Sequence, residues 1–164
     1  MKEIFQRKLF DYLLSKNIEN FIGVPDSTMK YFIDQGLKNN KIIVTTREEE
    51  AIGIGVGMIL SGSPSTIFMQ NAGFANSIST ISSLVQLYEI PMIFLIGWRG
   101  YKPTDAPEHI QIGKIQPTLL SSLDLKSRVI HEKNWKSGCD WAIHRMKNKK
   151  PAVLVIRRMK DEYN

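Results

Sequence analysis

Two stretches of this sequence, MIFLI at 92–96 and AVLVI at 152–156, are apolar at every position. A strand with one wet face alternates apolar and polar residues, whereas an unbroken run of about five suits a strand covered on both faces. Such strands belong in the interior of a parallel sheet. Four further runs have strand character: FIGV (21–24), IIVT (42–45), STIFM (65–69) and a short one at 128–130. Between them the apolar spacing becomes that of a helix. Phe5, Leu9, Tyr12 and Leu13 mark one face of a first helix, and Met29, Phe32, Ile33 and Leu37 mark a second. A third helix is expected over about 48–60, a fourth from Ile78, Ile81, Val85 and Tyr88, and a short fifth over 119–123. The last carries Trp135, Cys139, Ala142, Ile143 and Met146. This alternation predicts an α/β fold in three layers, α/β/α, around a six-stranded, mainly parallel sheet. No linker-like stretch interrupts it, so residues 1–164 are expected to form a single domain.

Composition narrows the classes of function. The longest apolar runs are far too short to cross a bilayer, and the charged start MKEIFQRKLF lacks the character of a signal peptide. Cys139 stands alone, so no internal disulfide can form and a reducing cytoplasm is the expected compartment. The formal charge of +6 is spread along the chain instead of gathered in a stripe, which argues against nucleic acid. Its local clusters, Lys147, Lys149, Lys150 and Arg157, Arg158, Lys160, suit solvated surface, or else an acidic partner or anionic substrate. GIGVG (53–57) lacks the third glycine of a dinucleotide fingerprint and falls within a helix. There is no phosphate-loop motif, no zinc-ligand spacing and no GxSxG elbow.

In open parallel sheets, ligands bind beyond the carboxyl ends of the strands. The segments there are PDS (25–27), TREEEA (46–51), QNAGFANS (70–77) and GWRGYKPTDAPEH (97–109), the last expected to be a long loop. Each has a structural reading beside a functional one. Thr46 followed by Glu49 has the spacing of a capping box, and acidic residues are favoured in a first helical turn. Successive glutamates lie roughly 100° apart around a helix, so only one of the three can serve a given site. Gly53, Gly55 and Gly57 cost helix stability. Close packing on the sheet or a subunit interface would account for them. In QNAGFANS, Asn71 or Asn76 can cap the following helix, or the segment can form a polar shelf for a ligand. Arg99 emerges after the most buried strand, where it can take an anion or a surface carboxylate. His109 is a candidate general acid or a solvated loop histidine.

Together and in order, GVPDS, REEEAIGIGVG, MQNAGFANS, IPMIFLIGWRG and DAPEHIQIG resemble the pyrimidine-binding domain of thiamine-diphosphate-dependent decarboxylases. The likeness is greatest to phosphonopyruvate decarboxylase and to the alpha subunit of sulfopyruvate decarboxylase, and it covers nearly the whole chain. Laying the family's RHEQGA pattern over REEEAI places its glutamate at Glu49 and its basic residue at Arg47. EHIQIGK resembles the family's HHALGK segment, with His109 at the first histidine and Ile110 in place of the second. Asp26 falls near the position of an acidic residue beside the substrate.

The resemblance implies roles for these residues. Glu49 would hydrogen-bond the cofactor's aminopyrimidine ring and favour the imino form that deprotonates the thiazolium. Asp26 and His109 would handle protons after carbon dioxide is lost. Asn71, Gly73 and Asn76, with Glu49, would contact the cofactor. Arg99, Lys102 and Gln70 would hold the substrate, and no metal ligand is expected on this chain. The family's GDG motif, which serves the diphosphate and Mg2+, is absent. Its absence implies a split enzyme: a beta subunit would carry the diphosphate-binding domain and most of the Mg2+ site, in a hetero-oligomer. The substrate implied is an anionic 2-keto acid, sulfopyruvate or phosphonopyruvate, with neither nucleic acid nor membrane as partner. The alternatives are a split decarboxylase of an ordinary 2-keto acid and a non-catalytic, flavodoxin-like binding module.

Overall fold

A computed structural model describes residues 1–157 of the chain. All six expected strands are present: β1 (Asn20–Gly23), β2 (Ile42–Val44), β3 (Ser65–Gln70), β4 (Ile93–Trp98), β5 (Ser127–Ile130) and β6 (Ala152–Arg157). They form one sheet in the order β2-β1-β3-β4-β6-β5, and every pairing is parallel. The helices are α1 (Glu3–Ser15), α2 (Lys30–Lys38), α3 (Glu48–Leu60), α4 (Asn71–Asn76), α5 (Ile78–Thr80), α6 (Pro107–Ser122) and α7 (Trp135–Lys147). No described helix is long and apolar enough to cross a membrane.

The unbroken apolar strands are explained by two cores, one on each face. Along β4, Ile93 and Leu95 join one buried cluster while Phe94 and Ile96 join the other. Along β6, Leu154 and Ile156 divide in the same way from Val153 and Val155. Period-two alternation therefore sends neighbouring residues to opposite helical layers. The α1, α2 and α7 face is built around Phe10, Phe21, Phe32 and Phe68, with Phe10 and Phe21 ring centroids 4.6 Å apart. The opposite face collects Ala51, Ile52 and Val56 of α3, Phe74 of α4 and Leu120 of α6.

Three expectations about local structure are corrected. QNAGFANS is not a connector: Gln70 ends β3, and α4 begins at Asn71, so Asn71 is a buried helical residue and neither asparagine caps the next helix. The helix expected through Tyr88 is broken, since α5 passes into a π-helical turn, Ile81–Gln86, and Tyr88 is 66% exposed. The loop after β4 ends at Ala106, because Pro107 opens α6 with its ring preset for a first helical turn. His109 is therefore helical, and the short helix expected at 119–123 is mostly the end of α6.

The α3 glycines fall into two groups. A Cβ on Gly55 would sit 2.5 Å from Ile67 Cδ1, so that glycine lets the helix lie close on β3. Gly53 and Gly57 are exposed with open space where a Cβ would go.

Candidate functional site

Side chains from the segments after β1, β3 and β4 are joined by hydrogen bonds above the carboxyl ends of the strands. Asp26 follows β1 and is 6% exposed. Its Oδ1 accepts from Gln70 Nε2 at 3.2 Å and from Thr28 Oγ1 at 3.4 Å. Its Oδ2 is buried without a hydrogen-bond partner among the described residues. That oxygen lies against Gly97, where an added Cβ would come within 1.9 Å of it. A buried, half-satisfied carboxylate is costly unless a ligand or proton completes it.

Asn71 joins β3 to the turn after β4. Its Oδ1 accepts from the Arg99 backbone N–H at 3.1 Å, and its Nδ2 donates to the Arg99 carbonyl at 3.0 Å. The amide expected to meet a cofactor thus braces the backbone beside it. Asn76, by contrast, is exposed at the far end of α4.

Arg99 is nearly buried, and its charge is met from within the chain. Asp105 Oδ1 accepts from Arg99 Nη2 at 2.7 Å, and Asp105 Oδ2 accepts from Arg99 Nε at 3.0 Å. The same carboxylate takes the backbone N–H of Gly100 at 2.7 Å and of Ala106 at 2.8 Å. The Arg99 hydrogen bonds hold the Asp105 carboxyl well below the usual carboxylate range, and the two backbone donors add to this against the opposing effect of burial. Arg99 Nη1 also reaches Ser27 Oγ at 3.4 Å, closing the ring of contacts back to the segment after β1. Asp105 was not singled out from sequence; the signal available was a carboxylate six residues beyond an arginine, across a turn rich in glycine and proline.

The turn also requires Gly100, whose φ is +71°, with an added Cβ 1.7 Å from the His109 carbonyl oxygen. This contact seats the loop on α6. His109 is half-buried there, its Nε2 3.9 Å from Glu108 Oε1. Lys102 lies at the exposed tip of the loop and lines a separate cavity with Tyr101, His131 and Arg157.

At the start of α3 the three glutamates separate as helical geometry requires. The capping contact belongs to Glu50, not Glu49: Glu50 Oε2 accepts from both the backbone N–H and the hydroxyl of Thr46, each at 3.2 Å. Glu48 lies across Gly73 of α4, so closely that an added Cβ there would be 2.1 Å from Glu48 Oε1. Glu49 is half-buried beside it. Among the described residues, neither the Glu48 nor the Glu49 side chain has a hydrogen-bond or ion-pair partner. Thr45 fixes this helix start to the sheet, its N–H donating to the Gly23 carbonyl at 3.0 Å and its hydroxyl to the Arg47 carbonyl at 3.1 Å.

A doubly wound parallel sheet with partnerless carboxylates and a polar network at its strand ends is a domain built to receive a ligand. Residues 5–121 match the family described as thiamine pyrophosphate enzyme, N-terminal TPP binding domain, and the chain belongs to that family. Among its relatives is the sulfopyruvate decarboxylase subunit alpha of Methanocaldococcus jannaschii. It is 34% identical over 119 residues, which cover 71% of this chain and 70% of that one. The phosphonopyruvate decarboxylase of Streptomyces viridochromogenes is 28% identical over 122 residues, 72% of this chain but only 30% of the other. The fold also matches that of a thiamine diphosphate-dependent 4-hydroxybenzoylformate decarboxylase from Rhodococcus jostii. There the TM-score is 0.69 at 14% identity, over 93% of this chain and 30% of that chain.

Proposed function

We propose that this chain forms the aminopyrimidine side of the site in a thiamine-diphosphate-dependent decarboxylase of an anionic 2-keto acid, sulfopyruvate or phosphonopyruvate. A partner chain would supply the diphosphate-binding half and the Mg2+ site. The names of the relatives support this reading, since three are named sulfopyruvate decarboxylase subunit alpha. The observation that carries it is the half-buried carboxylate pair at the start of α3, without a partner of its own and set over Gly73.

Bound thiamine diphosphate would supply the electron sink that protein side chains lack. This chain's contribution is to hold protons and orient groups. A carboxylate at the start of α3 would accept a hydrogen bond from the cofactor's ring. The family pattern points to Glu49 for this role, whereas the geometry favours Glu48, whose side chain crosses to α4 where the polar network begins. Glu49 remains one helical step away. Asp26 would take or give a proton, a role supported by its unsatisfied Oδ2 beside an Oδ1 held by Gln70 and Thr28, and His109 at the start of α6 would be the second group for that task. Gln70 would meet the substrate through the carboxylate it holds. Arg99 would be the cation for the substrate's acid group, since Lys102 lines the separate cavity.

One observation favours a second reading, an ordinary 2-keto acid as substrate: Asp105 already neutralises Arg99, which leaves less attraction for a second anionic group. Co-expression with the candidate partner and measurement of carbon dioxide release from sulfopyruvate, phosphonopyruvate and pyruvate separates the two. In that complex Glu48→Gln should lower kcat by about a hundredfold or more and weaken cofactor-dependent quenching of tryptophan fluorescence. Glu49→Gln should retain most turnover. The reverse pattern would return the role to Glu49, and full activity of both variants would remove it from α3.

A further inference from the structure

A cavity of about 240 Å³ lies at the carboxyl ends of β5 and β6, beside the turn after β4. Val129 and Ile130 contribute apolar surface, and Tyr101, Lys102, His131, Glu132 and Arg157 also line it. Asp26, Gln70 and Arg99 are not among the residues that line it, so it is a separate space from the network around Asp26.

Its polar groups are mostly hydrogen-bond donors. Arg157 stacks on Tyr101, its guanidinium carbon 4.0 Å from that ring centroid and 5.0 Å from that of Trp98. Arg157 Nη1 donates to the Tyr101 hydroxyl oxygen at 3.1 Å, which leaves the phenolic proton available. Arg157 Nε is buried with no acceptor among the described residues. His131 Nδ1 accepts from the Lys133 backbone N–H at 3.2 Å, so its Nε2 carries the ring proton and is a donor. Lys102 adds an ammonium. The one carboxylate, Glu132, has Oε1 occupied by the Lys2 backbone N–H at 2.9 Å. The cluster around Arg157 is therefore not merely solvated surface; Arg158 and Lys160 lie outside the described residues.

A site with buried and exposed donors, an excess of positive charge and an apolar floor calls for an anion with a short apolar part. We propose that this cavity is a second binding site, for a small organic acid such as a sulfonate or carboxylate, anchored by Arg157, Lys102 and His131. The proposal does not depend on the decarboxylase reading.

Propane-1-sulfonate, with inorganic sulfate as a control for charge alone, can be titrated into the full chain and followed by NMR. Saturable shifts are expected at Arg157 Nε, His131 and Lys102, with the sulfonate binding more tightly than sulfate. Arg157→Gln and, separately, Lys102→Ala should each weaken binding by about tenfold. Glu132→Gln should strengthen it, and Glu48→Gln should leave it unchanged. Lys102 is exposed, so its variant tests the site even if Arg157→Gln fails to fold. The proposal is overturned by the absence of saturable binding, by unaltered affinity in the Lys102 variant, or by shifts confined to Asp26 and Glu48.

Discussion

Replacing Asp105 by asparagine tests whether the turn after β4 is held by its ion pair. The two side chains are 10% and 7% exposed, so solvent screens them little. Asp105 Oδ2 accepts one guanidinium and one backbone N–H, and Oδ1 accepts two guanidinium N–H groups and one backbone N–H. An amide presents only one oxygen. Whichever way it flips, its NH2 group faces at least two donors, and at least one guanidinium bond and one backbone bond are lost together. Hydrogen bonds to charged groups contribute about 1.5–3 kcal/mol each, and breaking a buried pair costs about 3–5 kcal/mol. A loss of about 3 kcal/mol is therefore expected, which for a chain of this size lowers Tm by roughly 6–12 °C. Thermal unfolding followed by circular dichroism at pH 7 measures it. The pH dependence gives a second check. Because the folded-state pKa of Asp105 is depressed, its stabilisation is fully present above the unfolded value of about 3.9 and declines as pH falls below it. The gap between the two proteins should narrow on acidification below about pH 4. A shift of less than about 2 °C at neutral pH, or a gap that widens in acid, would refute the clasp.

Other substitutions probe the framework. Thr46→Ala should cost about 0.5–1 kcal/mol in urea unfolding through loss of the contact with Glu50; no change would remove the cap. Gly55→Ala should destabilise by about 1–3 kcal/mol, because its Cβ collides with Ile67. Gly53→Ala should instead stabilise the isolated chain by up to about 1 kcal/mol, and matching effects at the two sites would contradict the assigned helix orientation. Burial pushes the Cys139 thiol up to about 12, so the native chain should resist thiol reagents near pH 8 and react promptly in urea.

The fold was largely legible because its signals are periodic. Every expected strand overlaps an observed one, and α3 spans the expected residues, since apolar spacing reports directly on which faces are covered. The errors fell where a local pattern competes with a tertiary contact. Polar residues in QNAGFANS suggested a connector. Yet Asn71 is helical and buried because the backbone of Arg99 satisfies both ends of its amide. The loop after β4 appeared longer because prolines and glycines accumulate there, although Pro107 is a helix start.

The residues gathered at the strand ends were likewise visible in sequence, because strand order and the carboxyl-end rule identify the segments that meet. Their division of labour was not. The sequence alone established an α/β chain with acidic, amide and cationic side chains after successive strands, and carried a family pattern through them. Only the tertiary structure decided that Glu50 contacts Thr46 while Glu48 crosses to Gly73, that Asp105 claims Arg99, and that one oxygen of Asp26 stays unsatisfied. Spacing along a chain fixes the direction in which a side chain leaves its helix or strand. Which group it meets depends on distances between segments far apart in sequence, and those are set by the packing of the sheet.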